Sequence, residues 1–173
     1  TAATTTDENL EPHMLSVLLL TLNTWALQPS PKDFIGVEPE RIRRYHIGPQ
    51  HRLRSQASWQ HFRSRAGQGW QARFDERTGR VHRAWGAGIP LGPLNDIAQV
   101  QTALLSLFAD HPDLIGADLS ELVIGRSGRL PGSDTWLVQF DQVVAGATVW
   151  RGGIMARIKQ NKLVMFGDNT LDL

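Results

Sequence analysis

Residues 135–169 read TWLVQFDQ (135–142), VVAGA (143–147), TVWRGGIMARIKQ (148–160), NK (161–162) and LVMFGDN (163–169). Two strand-like runs meet at Ala145-Gly146. A third run closes at Asn161-Lys162. Apolar runs broken by small and turn-forming residues predict an antiparallel meander. Polar residues recur through it, but no acid, base or nucleophile is placed as a reaction would need. A sheet with an organised surface and no reaction centre points to a protein that works by binding another protein.

Working outward, Asn95 to Ala109 predicts a helix. Asn95 or Asp96 can cap it, and Ile97, Val100, Leu104, Leu107 and Phe108 form an apolar stripe. His111-Pro112 stops it. A strand is expected over Leu119–Ile124, then an exposed loop over Gly125–Gly132. A helix followed by antiparallel strands gives an α+β layer fold, the helix lying across the sheet. Further upstream, Trp70, Ala72 and Phe74 alternate with polar residues, as do Val81, Arg83 and Trp85. The turn at Glu76-Arg77-Thr78-Gly79 joins them into a hairpin over residues 69–86. Gly86 to Pro93 reads as a linker by composition.

The N-terminal third is less regular. Leu15, Leu18, Leu19, Leu22 and Ala26 follow helical spacing, so a helix is expected over residues 12–26, ended by Gln28-Pro29-Ser30-Pro31. Phe34 to Val37 reads as a short strand. Arg41 to Ile47 fits helix or strand, broken by Gly48-Pro49, and Ser58 to Arg65 has weak helical character. The chain then divides into a leader helix (1–30), a basic subdomain with the hairpin (31–92), a helix-plus-meander domain (93–168) and a tail (169–173).

Composition narrows the function. The chain has 173 residues, 41% apolar and 20% charged, enough for a sizeable core. The absence of cysteine excludes a disulfide framework, a cysteine nucleophile and a thiolate metal site. The net charge of +1 is unevenly spread. Residues 1–40 carry one basic and six acidic side chains, and residues 41–83 carry eleven arginines against Asp75 and Glu76. The basic block fits internal pairing plus a solvated face, or else nucleic acid or an acidic protein surface. Met14 to Leu27 is too short to span a bilayer and lacks a basic flank, so neither a span nor a signal peptide is read there. The chain opens on Thr1, not Met, so its true start is expected to have been removed.

Catalytic motifs are mostly missing. No two of the six histidines stand three or four apart, as a His-Glu-x-x-His zinc site requires. His51 and His61 could meet only through the fold. Gly125-Arg-Ser-Gly resembles half of a nucleophile elbow around Ser127, but it leads into a Pro-Gly loop. Neither a catalytic residue nor a metal or cofactor is expected. The six tryptophans are mainly core fillers, with Trp70 and Trp136 on the apolar parity of their strands. Trp150 beside Arg151 is the best exposed anchor.

The meander resembles the propeptide domain of fungalysin- and thermolysin-type zinc metallopeptidases. The family's pattern is a strand with an aromatic and then Gln, a turn with Gly, and a strand with Val. It reads here as Val138-Gln-Phe140-Asp-Gln142, Val143-Val-Ala-Gly146 and Ala-Thr-Val149-Trp-Arg-Gly-Gly153. The helix at 95–108, Gly116-Ala-Asp118 and the strand that follows are similar too, so the resemblance covers roughly residues 93–168. It implies a cystatin-like layer of helix on sheet. It also implies a secreted, non-catalytic domain that inhibits a peptidase and templates its folding, the peptidase domain following in the same precursor. Trp136, Phe140, Gln142, Gly146 and Val149 are then fold-specifying, with Gln142 expected to bridge the turn backbone. Trp150, Arg151, Asp168, Leu171 and Leu173 are the candidate partner contacts. No nucleic acid is expected as a partner. The alternative reading is a stand-alone binding module on the same fold, at a cell surface or in secretion, and a nucleic-acid binder using residues 41–83 ranks below it.

Overall fold

The computed structural model describes residues 45–172, together with the backbone of the short strand β1 (Phe34–Ile35). The expected helix at 12–26, the leader over 1–30 and most of Arg41–Ile47 lie outside the described residues. The protein is α+β. The helices are α1 (Ile47–Arg54), α2 (Ala57–Ala66) and α3 (Ile97–Ala109). The strands are β2 (Gln71–Phe74), β3 (Val81–Pro90), β4 (Leu122–Ile124), β5 (Gly128–Arg129), β6 (Thr135–Val144), β7 (Ala147–Lys159) and β8 (Lys162–Asp168). Their order in the sheet is β2-β3-β8-β7-β6-β4, with β5 also on β6 and β1 on β7. Every pairing is antiparallel except the parallel β1–β7 contact.

Strand parity builds the sheet's buried face. Along β7, Ile154, Ala156 and Ile158 are buried and alternate with exposed Met155, Arg157 and Lys159. Phe140 on β6 and Leu163 and Phe166 on β8 join the same core. Trp59 and Phe62 of α2 and Val100, Leu104 and Phe108 of α3 complete it. Phe166 is its hinge of contacts, with ring centroids 5.8 Å from Phe62, 6.1 Å from Trp70 and 5.8 Å from Phe108. The cap of α3 is Asp96, whose carboxylate accepts from the Gln99 N–H at 2.8 Å. Ile97, expected on the apolar stripe, is 36% exposed because it stands in the first turn, outside the packed face.

The meander turns on left-handed residues. Ala145 and Gly146 have φ of 50° and 82°, and Gln160 and Asn161 have 50° and 57°. Two consecutive positive φ values match the right-handed twist of a two-residue hairpin. The second turn therefore centres on Gln160-Asn161, one residue before the expected Asn161-Lys162.

Several expectations need correction. Gly86 to Pro93 is not a linker up to Pro90, because β3 continues through it and pairs with β8. The ladder slips between Trp85 and Ile89, and the glycines make that bulge possible. A Cβ on Gly86 would stand 2.5 Å from the Trp70 ring. The hairpin is likewise not part of a separate subdomain, since β3–β8 pairing joins it to the meander and Asp33–Leu173 is one compact unit. Gly48-Pro49 does not break a helix but lies in the first turn of α1, where N–H groups have no intrahelical acceptor and proline is tolerated. Leu119–Glu121 forms a 3₁₀ turn, so β4 starts only at Leu122. The expected loop after it contains β5.

Candidate functional site

The site is built where β6, the first half of β7 and the C-terminal residues meet. Val143 pairs with Thr148 and Asp141 with Gly153, so Val149, Trp150, Arg151 and Gly152 bulge opposite Gln142 alone. Gly153 is obligatory at the end of the bulge. A Cβ there would overlap the Phe140 carbonyl oxygen, and its φ is 149°. Val149 is buried under the bulge. Trp150 projects from it, 50% exposed, with the Arg151 guanidinium 5.9 Å from its ring centroid. Arg151 has φ of 58°. A bulky residue in that region carries backbone strain that the surrounding ladder must hold.

Beneath the bulge, Gln142 is fully buried. Its amide N–H₂ donates to Glu121 Oε2 and to the Leu171 carbonyl, both at 2.9 Å. Its Oε1 accepts from the Leu171 N–H at 2.9 Å. Gln142 thus clasps the C-terminal segment instead of bridging the Ala145-Gly146 turn, because its side chain points into the core side of β6, away from the turn. Asp168 is buried as well. It accepts from the Gly116 N–H at 2.8 Å and from the Thr170 N–H and hydroxyl at 2.7 Å. Burial pushes its carboxyl above the usual aspartate range, against the opposing pull of those donors and of Arg80. Arg80 also pairs with Asp172 at 2.6 Å.

These contacts sort the expected site residues. Phe140 and Val149 are buried, Trp136 packs partly buried against the core, and Gly146 has the left-handed turn conformation. Trp150 and Arg151 lie together at the exposed corner. Asp168 and Leu171 do not form a free strand for a partner, since both are bonded into the domain. Leu173 lies outside the described residues. Gly116-Ala-Asp118 is a capping loop, where Asp118 accepts from the Ser120 N–H at 2.8 Å. That backbone bond, with a side-chain bond from Ser120, holds the Asp118 carboxyl below its usual range.

The remaining chemical candidates have structural employment. The Ser127 hydroxyl accepts from the Gln139 N–H at 2.9 Å and donates to its carbonyl at 3.2 Å. His51 and His61 do not meet. His61 lies instead against His111, ring centroids 5.8 Å apart. No group of three or more metal-ligating side chains occurs among the described residues. None of their helices is long and apolar enough to cross a membrane. Sequence reading missed Gln50, whose amide donates to the Phe74 carbonyl and accepts from the Phe74 N–H, both at 2.9 Å. It also missed His111, buried against Phe62. Burial first, then the Arg65 and His61 charges, lowers the affinity of its imidazole for a proton. Comparison with protein-family models, curated proteins and solved structures finds no match for this chain.

Proposed function

We propose that this domain is the propeptide-type partner of a secreted zinc metallopeptidase, which it inhibits and whose folding it templates. The observation that carries the proposal is one corner of the sheet. The aromatic, Gln, Gly and Val of the propeptide-like pattern converge there on a single device. Phe140 and Val149 are buried, Gly146 makes the turn, and Gln142 secures the closing segment. The same device presents Trp150 and Arg151 outward, with Arg151 held in a left-handed backbone conformation. Tryptophan and arginine are the side chains that most often dominate protein interfaces.

The mechanism needs no chemistry from this chain. A domain that binds only the native surface of a peptidase stabilises that state by mass action, so it favours folding. The same contact keeps substrate from the cleft while it lasts. The test is to refold the peptidase domain of the same precursor with and without the chain, and to titrate the chain into the folded enzyme. Saturable inhibition, weakened by Trp150→Ala, is the expected result. A precursor with no His-Glu-x-x-His domain, or an enzyme indifferent to the chain, would remove the proposal in favour of a stand-alone binding module.

A further inference from the structure

The helices cover one face of the sheet, and the opposite face carries an arrangement of its own. Arg73 on β2 stands directly opposite Arg83 on β3. Arg157 projects from β7 on the same side, paired across to Leu137 on β6. Trp85 and Met155 lie among them. Trp85, Leu137 and Met155 are 37%, 38% and 39% exposed. Directly opposed like charges destabilise a sheet. None of the ion pairs among the described residues places a carboxylate on these three arginines.

Two of the three guanidinium groups rest on neighbouring side chains. Arg73 lies 5.3 Å from the centre of the Tyr45 ring. Gly167 pairs with Met155 and leaves β8 bare at that point, so Arg83 Nη2 reaches Met155 Sδ at 3.8 Å. Resting on neighbours lowers the conformational entropy that Arg73 and Arg83 lose when they bind. Aromatic, methionine and arginine side chains are the ones enriched in a protein-binding core, and Lys159 with its cross-strand neighbour Lys162 adds positive charge at one end of the patch. Single-stranded nucleic acid would instead call for a series of stacking rings. Only Trp85 and Tyr45 supply aromatic rings among these residues, and Tyr45 is already taken up by Arg73 and the His82 ring.

We infer that the open face of the sheet is a second docking surface, taking an acidic polypeptide segment whose carboxylates alternate with apolar side chains. Carboxylates engage Arg73, Arg83 and Arg157, and the apolar side chains lie over Trp85, Met155 and Leu137. Such a site is independent of the Trp150 corner and of any peptidase.

The test uses the full chain and three short synthetic peptides. One alternates glutamate with leucine and phenylalanine, one replaces the glutamates by lysine, and one replaces the apolar residues by serine. Binding is followed by amide chemical shifts and by titration at low and high salt. The acidic–apolar peptide should bind tightest, with shifts on β2, β3, β7 and β8, and should weaken as salt rises. Arg83→Gln should weaken it about tenfold, and the triple change Arg73→Gln, Arg83→Gln, Arg157→Gln by more. The triple variant should melt no lower than wild type, because a like-charge pair is removed. The charge reversal Arg157→Glu should weaken binding independently. The inference is overturned if the three peptides bind alike, if the shifts fall on another face, if the arginine changes leave affinity unaltered, or if an oligo-dT strand binds tighter than the acidic peptide.

Discussion

At the residue scale, two buried glutamines, Gln50 on helix α1 and Gln142 on strand β6, do the same job for two different backbone segments. Gln50 bonds both backbone groups of Phe74, and Gln142 bonds both backbone groups of Leu171. An amide side chain carries one acceptor and a donor pair, so it can replace a missing strand partner at a single residue. Gln142→Leu keeps the bulk but leaves Leu171 and Glu121 without that partner. It should cost about 1–3 kcal/mol, the penalty for stranding buried polar groups. Denaturant melts of this variant within about 0.5 kcal/mol of wild type would show that the clasp is not needed. His111 sets a pH dependence. Its folded-state proton affinity is lowered below the ordinary 6.5, so the unfolded chain binds the proton more readily. Its contribution is intact above that value and is lost as pH falls through the window below it. His111→Leu should flatten the slope of stability against pH between neutrality and the lowered value. An unchanged slope would mean that another group drives it.

At the element scale, the contrast between legible and illegible parts has a physical cause. Helix α3 and the meander could be read because one face of each is apolar at the period of its own backbone. Phe140 falls on the buried parity for the same reason. The glycine-rich end of β3 could not be read, because its glycines answer to the Trp70 ring and to a bulge, both tertiary facts. The tail misled for a similar reason. Its alternation of Leu and Asp looked available to a partner, whereas Asp168 and Leu171 are bonded into the domain's own interior. Removing residues 170–173 should therefore lower the melting temperature, and the loss should be non-additive with Gln142→Leu because the two share one set of bonds. Additive losses would mean that tail and glutamine act separately. Edge strand β2 gives a further expectation. Gln50→Ala unblocks the outer backbone of Phe74, so it should lower stability by about 1–3 kcal/mol and increase association through the exposed edge. Light scattering at matched concentrations measures the second effect, and a variant as monodisperse as wild type would contradict it.

At the scale of the whole molecule, charge and core have separate tasks. The basic block places arginines in the last turns of α1 and α2, where they complement the helix dipoles, and sends Arg73 and Arg83 to the open face. Most of that charge is therefore surface organisation, and cooperativity must come from the core. Phe166 touches Phe62 on α2, Trp70 at the start of the hairpin and Phe108 on α3. Its strand, β8, is also hydrogen-bonded to both β3 and β7. Loss of this ring removes contacts from hairpin, meander and helices at once. Phe166→Ala should cost about 3–5 kcal/mol, as for other buried aromatics. Because one side chain links every layer, the loss should be felt equally on both sides of β8. Amide exchange in β2 and β3 should accelerate by the same factor as in β6 and β7, as expected when protection depends on one global opening. If the hairpin lost protection while β6 and β7 kept theirs, the two halves would be separate folding units that share a sheet. The single core drawn through Phe166 would then be wrong.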